Sequence, residues 1–163
     1  RLYNSQNCHR DEITEVAGGA LVVVGEAGQI HVSVDGGETW ERRESPYPAS
    51  LFGVLGTGRV NEILAFGLRG TLLKSTDLGR SWTIVNTGST ASLNDGFADG
   101  DRIVLGGNGG AVLTSGNGGA TFLEYLREDR QGVMGVVPVA STRLLLVGEG
   151  GVKHADAQGK NLQ

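Results

Sequence analysis

At 163 residues the chain fits one domain, with enough length for a core that folds alone. Its 28 Gly against three Pro, with no Gly-X-Y period, exclude collagen and a Pro/Gly-rich disordered tract. A net charge of −4 gives no electrostatic case for nucleic acid or for an anionic membrane.

Taken in chain order, short apolar runs alternate with glycine turns. Leu21–Val24 reads as a strand. Ile30, Val32 and Val34 then alternate with His31, Ser33 and Asp35, the period-two pattern of a strand with one buried face, with His31 on its polar side. Residues 51–55 and 61–66 read as the next two strands. The turn 67–70 leads on to a strand at 71–75, and the turn 77–79 to another at 82–85. Apolar runs at 103–105 and 144–147 continue the pattern.

Four segments align: 25–40, 67–82, 107–122 and 148–162. Their opening glycines, Gly25, Gly67, Gly107 and Gly148, are 42, 40 and 41 residues apart. Their closing residues, Trp40, Trp82, Phe122 and Leu162, are 42, 40 and 40 apart, the last segment being degenerate and one residue short. Four strands in every repeat of about 41 residues describe an all-β β-propeller of four-stranded antiparallel blades, one domain over residues 1–163. A β-helix needs shorter coils, and an immunoglobulin sandwich has no such repeat. Leu2 falls in the register of Trp40, so the chain opens on an outer strand and stops where the fourth blade's outer strand should begin. Three closures are open: residues 1–7 complete the fourth blade, the chain is a section of a larger propeller, or a homodimer forms an eight-blade ring. Unpaired blade edges make a lone half-ring the least favourable state.

The turn motif Ser-x-Asp-x-Gly-x-Thr-Trp is complete at Ser33, Asp35, Gly37, Thr39 and Trp40. It recurs at Ser75, Asp77, Gly79, Ser81 and Trp82, and at Ser115, Asn117, Gly119, Thr121 and Phe122. Asp or Asn beside Gly accepts backbone N–H groups in a tight turn, Gly takes positive φ, and the aromatic seals the hairpin. Asp35 and Asp77 are therefore expected to be turn staples, not catalytic groups. The motif resembles the Asp-box, or bacterial neuraminidase, repeat. With the preceding Gly-x-x-Gly turns, the pattern most resembles the photosystem II stability/assembly factor family and its relatives in non-photosynthetic bacteria. That resemblance implies a seven-bladed, non-enzymatic propeller acting outside the cytoplasm, in a periplasmic or thylakoid-lumen-like compartment. It also implies a protein partner, in the photosynthetic members a membrane-protein assembly intermediate. Four repeats instead of seven depart from it.

An enzyme of the sialidase type would need an arginine cluster, a Tyr–Glu nucleophile pair and an acid/base. The Arg-Ile-Pro signature is absent, the three Pro following Ser45, Tyr47 and Val137. Glu26 and Glu149 occupy corresponding turns and would be neighbours only in a closed four-blade ring. A sialidase-like hydrolase or a carbohydrate-binding segment is the alternative reading. No cofactor is expected, since the glycine turns join strand to strand without a helix N-terminus to hold phosphate. No metal is expected either, because His9, His31 and His154 are scattered. Cys8 is alone, which excludes an intrachain disulfide, and no apolar run approaches the ~18 residues of a membrane-spanning helix. The chain starts at Arg1, the mark of a processed chain or a fragment, and shows no signal peptide.

What remains is a rim, formed where the loops 44–50, 86–92 and 126–131 share one face with the tips 26–27, 68–69, 108–109 and 149–150. Arg69, Arg127 and Arg130 are the expected carboxylate contacts there, Tyr47 is the amphipathic anchor, and Glu26 and Glu149 are the acidic members.

Overall fold

The computed structural model describes residues 12–162. Four sheets follow one another along the chain, each antiparallel with its strands paired in sequence order. The first is β1 (Glu12–Glu15), β2 (Leu21–Val24), β3 (Ile30–Ser33) and β4 (Glu41–Arg43). The second is β5 (Leu51–Gly56), β6 (Ile63–Gly67), β7 (Leu72–Ser75) and β8 (Thr83–Ile84). The third is β9 (Leu93–Asp99), β10 (Arg102–Gly107), β11 (Ala111–Ser115) and β12 (Leu123–Leu126). The fourth has three strands, β13 (Val133–Ala140), β14 (Arg143–Gly148) and β15 (Gly151–Asp156). The first strands β1, β5, β9 and β13 pack in succession along the inside of an arc of blades.

The core lies between blades. One cluster joins Val22, Val24, Ile30 and Val32 of the first blade to Leu51, Val54, Ile63 and Leu73 of the second. A second joins Leu64, Phe66 and Leu72 to Leu93, Ile103 and Leu105, and a third joins Val104 and Val112 to Val133, Val136 and Leu146. This explains why β6 is apolar at Ile63, Leu64, Ala65 and Phe66 without alternation: both of its faces are covered by a neighbouring blade.

In the first three blades the second-to-third strand turn carries consecutive left-handed residues: Ala27 and Gly28, Arg69 and Gly70, Gly109 and Gly110. Glycine is needed in the second place for space as well as for φ. A Cβ on Gly28 would overlap the Tyr47 carbonyl oxygen, and one on Gly70 the Ser89 carbonyl oxygen. These contacts press the strand tips against the blade-to-blade loops, so tips and loops do share one face.

Three details differ from the sequence-based expectation. Val34 does not extend the alternation, because β3 ends at Ser33 and Val34 is exposed on the turn. Leu162 does not take the place of Trp40, Trp82 and Phe122. In the fourth blade the hairpin closes by an Ala155–Asn161 bridge six residues apart, against nine for Val32–Glu41 and Lys74–Thr83. Nor is that repeat short before its turn, since Asp156 follows Gly148 by the same eight residues as Ser115 follows Gly107. The proposed strand at residues 1–7, together with Cys8 and His9, lies outside the described residues.

Gly70 and Gly88 share φ near +71 and +72, but only Gly70 is crowded; nothing lies near a Cβ at Gly88. Gly88→Ala should cost about 1 to 2 kcal/mol for the left-handed backbone alone. Gly70→Ala should cost clearly more, as read by urea denaturation of both variants.

Candidate functional site

The Ser-x-Asp turns are closed by their own hydrogen bonds. The Ser33 hydroxyl donates to Asp35 Oδ1 over 2.7 Å and accepts the Gly37 N–H at 2.9 Å. Asp35 accepts the Thr39 N–H at 2.9 Å and the Thr39 hydroxyl at 2.6 Å. Ser75, Asp77, Gly79 and Ser81 repeat the arrangement. These donors, the Thr39 and Ser81 hydroxyls foremost, hold both carboxyls down to about 2. Both oxygens of each carboxylate are engaged within the turn, so neither is presented to a ligand.

The third turn makes the same pattern without a charge. Asn117 Oδ1 accepts from the Ser115 hydroxyl and the Thr121 N–H, while its amide donates to the Thr121 hydroxyl at 2.8 Å. In the fourth, the Asp156 carboxylate stands where the others have the Ser hydroxyl and accepts the N–H groups of Gln158 and Lys160, each at 2.9 Å.

On the rim the six expected residues separate. Arg69 and Arg130 are exposed, each held in the left-handed region at φ 55 and 54. Tyr47 is half-buried against the first core cluster, with its hydroxyl donating to the Leu68 carbonyl at 3.4 Å. Glu26 is exposed at its tip. Glu149 is exposed too, yet one carboxylate oxygen accepts the Gly132 N–H at 2.7 Å. Arg127 is not a rim contact. It is 2% exposed, and its guanidinium donates to the Gly159 carbonyl at 2.8 Å, to Asn161 and to Asp129. Depth makes it a strut between the third and fourth blades. Asp129 is held at about 2, first by Lys153 at 2.6 Å and then, against a small burial effect, by the Gln131 N–H and Arg127. The cavity here, bounded by Arg127, Asp129, Gln131 and Lys153, is only about 10 Å³, room for a water and no more.

Two carboxylates on the inner strands were not anticipated. Glu12 accepts the Val54 N–H of the next blade at 3.3 Å, and Asp95 accepts the Val136 N–H at 2.7 Å. Burial raises both pKa values, and the Asp95 charge raises Glu12 further. Cross-strand pairing puts Glu12, Gly53, Asp95 and Gly135 at one register of their blades, opposite Val24, Phe66, Gly106 and Val147. Acid therefore alternates with glycine, and a side chain on Gly53 would meet Glu12 Oε2. Only superposition of the four repeats on this register would have revealed the pair. Among the described residues, no cluster of His, Cys, Asp and Glu is arranged to hold a metal ion.

Neither a family model nor a curated protein matches the sequence. Solved structures do match. An ancestral GH74 enzyme superposes with a TM-score of 0.76 and 18% identity over 93% of this chain and 23% of its own. YCF48 from Cyanidioschyzon merolae gives 0.71 and 19%, over 88% of this chain and 52% of its own. YCF48 bound to D1 peptide gives 0.67 and 16%, over 96% and 52%. The fold is thus that of a β-propeller, and the chain spans about a quarter to a half of the structures it resembles.

Asp77→Asn should leave stability close to the parent, because Asn117 closes an equivalent turn, whereas Asp77→Ala should lower it. With pKa values depressed at Asp35 and Asp77, their contribution is present above about 3.8 and lost as pH falls toward 2. In the Asp35→Asn/Asp77→Asn variant that acid-side loss, followed by urea melts, should shrink to what Asp129, Glu41 and Glu62 leave. Glu12 and Asp95 have the opposite sign: a raised folded pKa means that stability falls as pH rises through it. Asp95→Asn should make that decline shallower without lowering stability at neutral pH.

Proposed function

We propose that the protein is a non-catalytic binding module whose rim holds another protein, in a role of assembly or stabilisation resembling that of the photosystem II assembly-factor family. The observation that carries this reading is the pair Arg69 and Arg130, exposed guanidiniums on left-handed residues of the face to which the tips and loops converge. Arg69 occupies the left-handed turn position that Ala27 and Gly109 fill in the neighbouring blades, which fixes its backbone and leaves its side chain to solvent. One similar structure carries a peptide partner, being described as YCF48 bound to D1 peptide. The partner chemistry that fits the two arginines is an extended acidic segment, with Tyr47 beside it as an apolar anchor. A membrane-protein assembly intermediate with such a segment, met outside the cytoplasm, is the partner this reading implies.

A second reading is favoured by Glu12 and Asp95 together with the likeness to GH74 enzymes: glycoside hydrolysis by carboxylates at the inner strands. One set of assays separates the two. Fluorescence anisotropy against arrayed acidic peptides should show binding that Arg69→Glu/Arg130→Glu weakens at least about tenfold, equivalent to 1.4 kcal/mol. Release of reducing sugar from xyloglucan, the substrate class named by a similar GH74 xyloglucanase structure from Xanthomonas campestris, abolished by Asp95→Asn, would instead establish the hydrolase.

A further inference from the structure

The outer strand of a blade is an edge, and an unpaired edge is a template for another strand unless something blunts it. In the first two blades it is blunted: β4 is charged at Glu41, Arg42 and Arg43, and β8 is two residues long. In the third it is not. β12 runs over Leu123, Glu124, Tyr125 and Leu126 with a single charge and no Pro. Leu123 is 76% exposed and Leu126 40%. Exposure belongs to these places in the blade. Glu41 and Thr83 stand where Leu123 does, Glu44 and Asn86 where Leu126 does, and all four are exposed although a complete blade follows each.

The backbone of β12 has a fixed phase. The Arg127 N–H donates to the Gly110 carbonyl at 2.9 Å, and in the second blade the Val85 N–H donates to the Leu72 carbonyl at 2.8 Å. Bonded and non-bonded pairs alternate along an antiparallel ladder. Leu123 and Tyr125 are therefore bonded inward, to their partners Thr114 and Val112. Glu124 and Leu126 turn their N–H and C=O groups outward. Backbone donors and acceptors at this spacing are matched by an extended chain, not by a helix or a compact small molecule.

A second copy of β12 does not match them. Self-pairing centred on Glu124 sets Glu124 against Glu124, and centred on Leu126 it sets Glu124 against Glu128. Centred on Tyr125, it sets Glu124 against Leu126. The Ser89 hydroxyl fixes Glu124 through Oε1, which leaves Oε2 for a cation. We infer that β12 is the docking edge for an extended segment of another protein, added antiparallel as a fifth strand of the third blade. Lys or Arg of that segment stands opposite Glu124, with apolar residues opposite Leu123 and Leu126 and a β-branched residue opposite Tyr125. This surface is separate from the Arg69 and Arg130 rim, and it takes a basic group where the rim takes acidic ones.

The test is amide exchange on the full chain, followed by nuclear magnetic resonance, with the capped peptide Thr-Val-Val-Lys-Val-Thr as probe. In the free chain the Glu124 and Leu126 amides should exchange fast and those of Leu123 and Tyr125 slowly. Saturating peptide should slow Glu124 and Leu126 by at least about tenfold. Glu124→Lys should weaken binding about fivefold and prefer the peptide Thr-Val-Val-Glu-Val-Thr instead. Leu126→Pro removes an outward donor and spares the inward ladder, so it should abolish binding while keeping the far-ultraviolet circular dichroism. Arg69→Glu/Arg130→Glu should bind the peptide like the parent, which keeps this result apart from the fate of the rim. Absence of saturable binding up to about 5 mM peptide would overturn the inference. So would binding that leaves the Glu124 and Leu126 amides fast. Slow exchange of both amides in the free chain would overturn it as well, since the edge would then be covered by a second copy or by the chain itself.

Discussion

A blade of this protein cannot bury its own outgoing face. Ile63, Leu64, Ala65 and Phe66 are apolar on consecutive residues, so one sheet surface alone leaves half of them in water. Removing that area from water, at about 25 cal/mol per Å², requires the next blade, and the next blade repeats the requirement. The interfaces are matched in volume, not only in polarity. Phe66 lies back over Gly53, its cross-strand partner, while Gly106 at the equivalent place leaves the space that Val133 and Val136 fill from the fourth blade. Packing to solid density makes each junction a fitted pair.

Polar straps lie over these apolar contacts. The turn carbonyl three residues beyond Ser75, Ser115 or Asp156 is in each case met by a cation from the preceding blade. Arg43 reaches Leu78 at 3.1 Å, Lys74 reaches Gly118 at 2.8 Å, and Arg127 reaches Gly159 at 2.8 Å. The three cations come from different places, since Arg43 and Arg127 lie on or just after an outer strand and Lys74 on a third strand. What is held constant is the acceptor, a carbonyl fixed by the turn. A buried carbonyl without a donor costs about 1 to 3 kcal/mol, so any cation with the reach relieves the same penalty. Arg127 is committed to that role, and its position next to Glu128, Asp129 and Arg130 in sequence gives no sign of it.

The repeat made most of the fold legible before any coordinates. Glycine turns and Ser-x-Asp turns punctuate strands at one period, and backbone chemistry leaves few alternatives at such punctuation. The shared face of tips and loops followed from the same register. Depth was not legible: Arg127 and Arg130 are three residues apart in one charged run, yet one is buried and the other exposed. Glu12 and Asp95 were not legible either, because each looks like an ordinary strand carboxylate until the blades are superposed on the Glu12, Gly53, Asp95, Gly135 register. Leu162 was placed wrongly because spacing was counted to a hydrophobic residue, whereas the physical landmark is the acceptor that closes the turn, and in the fourth blade that acceptor is Asp156.

The division of polar groups between the two faces bears on function. On the side of the Ser-x-Asp turns, side chains are consumed in holding blades together. Arg59 binds Asp101, Glu62 and the Gly100 carbonyl, and Lys74 joins Glu62 to Gly118. Burial pushes the Glu62 carboxyl up, but Thr57, Lys74 and Arg59 outweigh it and keep it ionised within this network. A ligand on that side would have to displace contacts that support the arc. On the rim, tips and loops meet at tip carbonyls, the Thr87 hydroxyl donating to the Gly70 carbonyl and the Arg127 N–H to the Gly110 carbonyl. Side chains such as Arg69 and Arg130 are thereby left outside the framework. A surface whose scaffold is carried by its backbone can change its side chains without changing its fold, and that freedom is what a face evolving toward a partner requires.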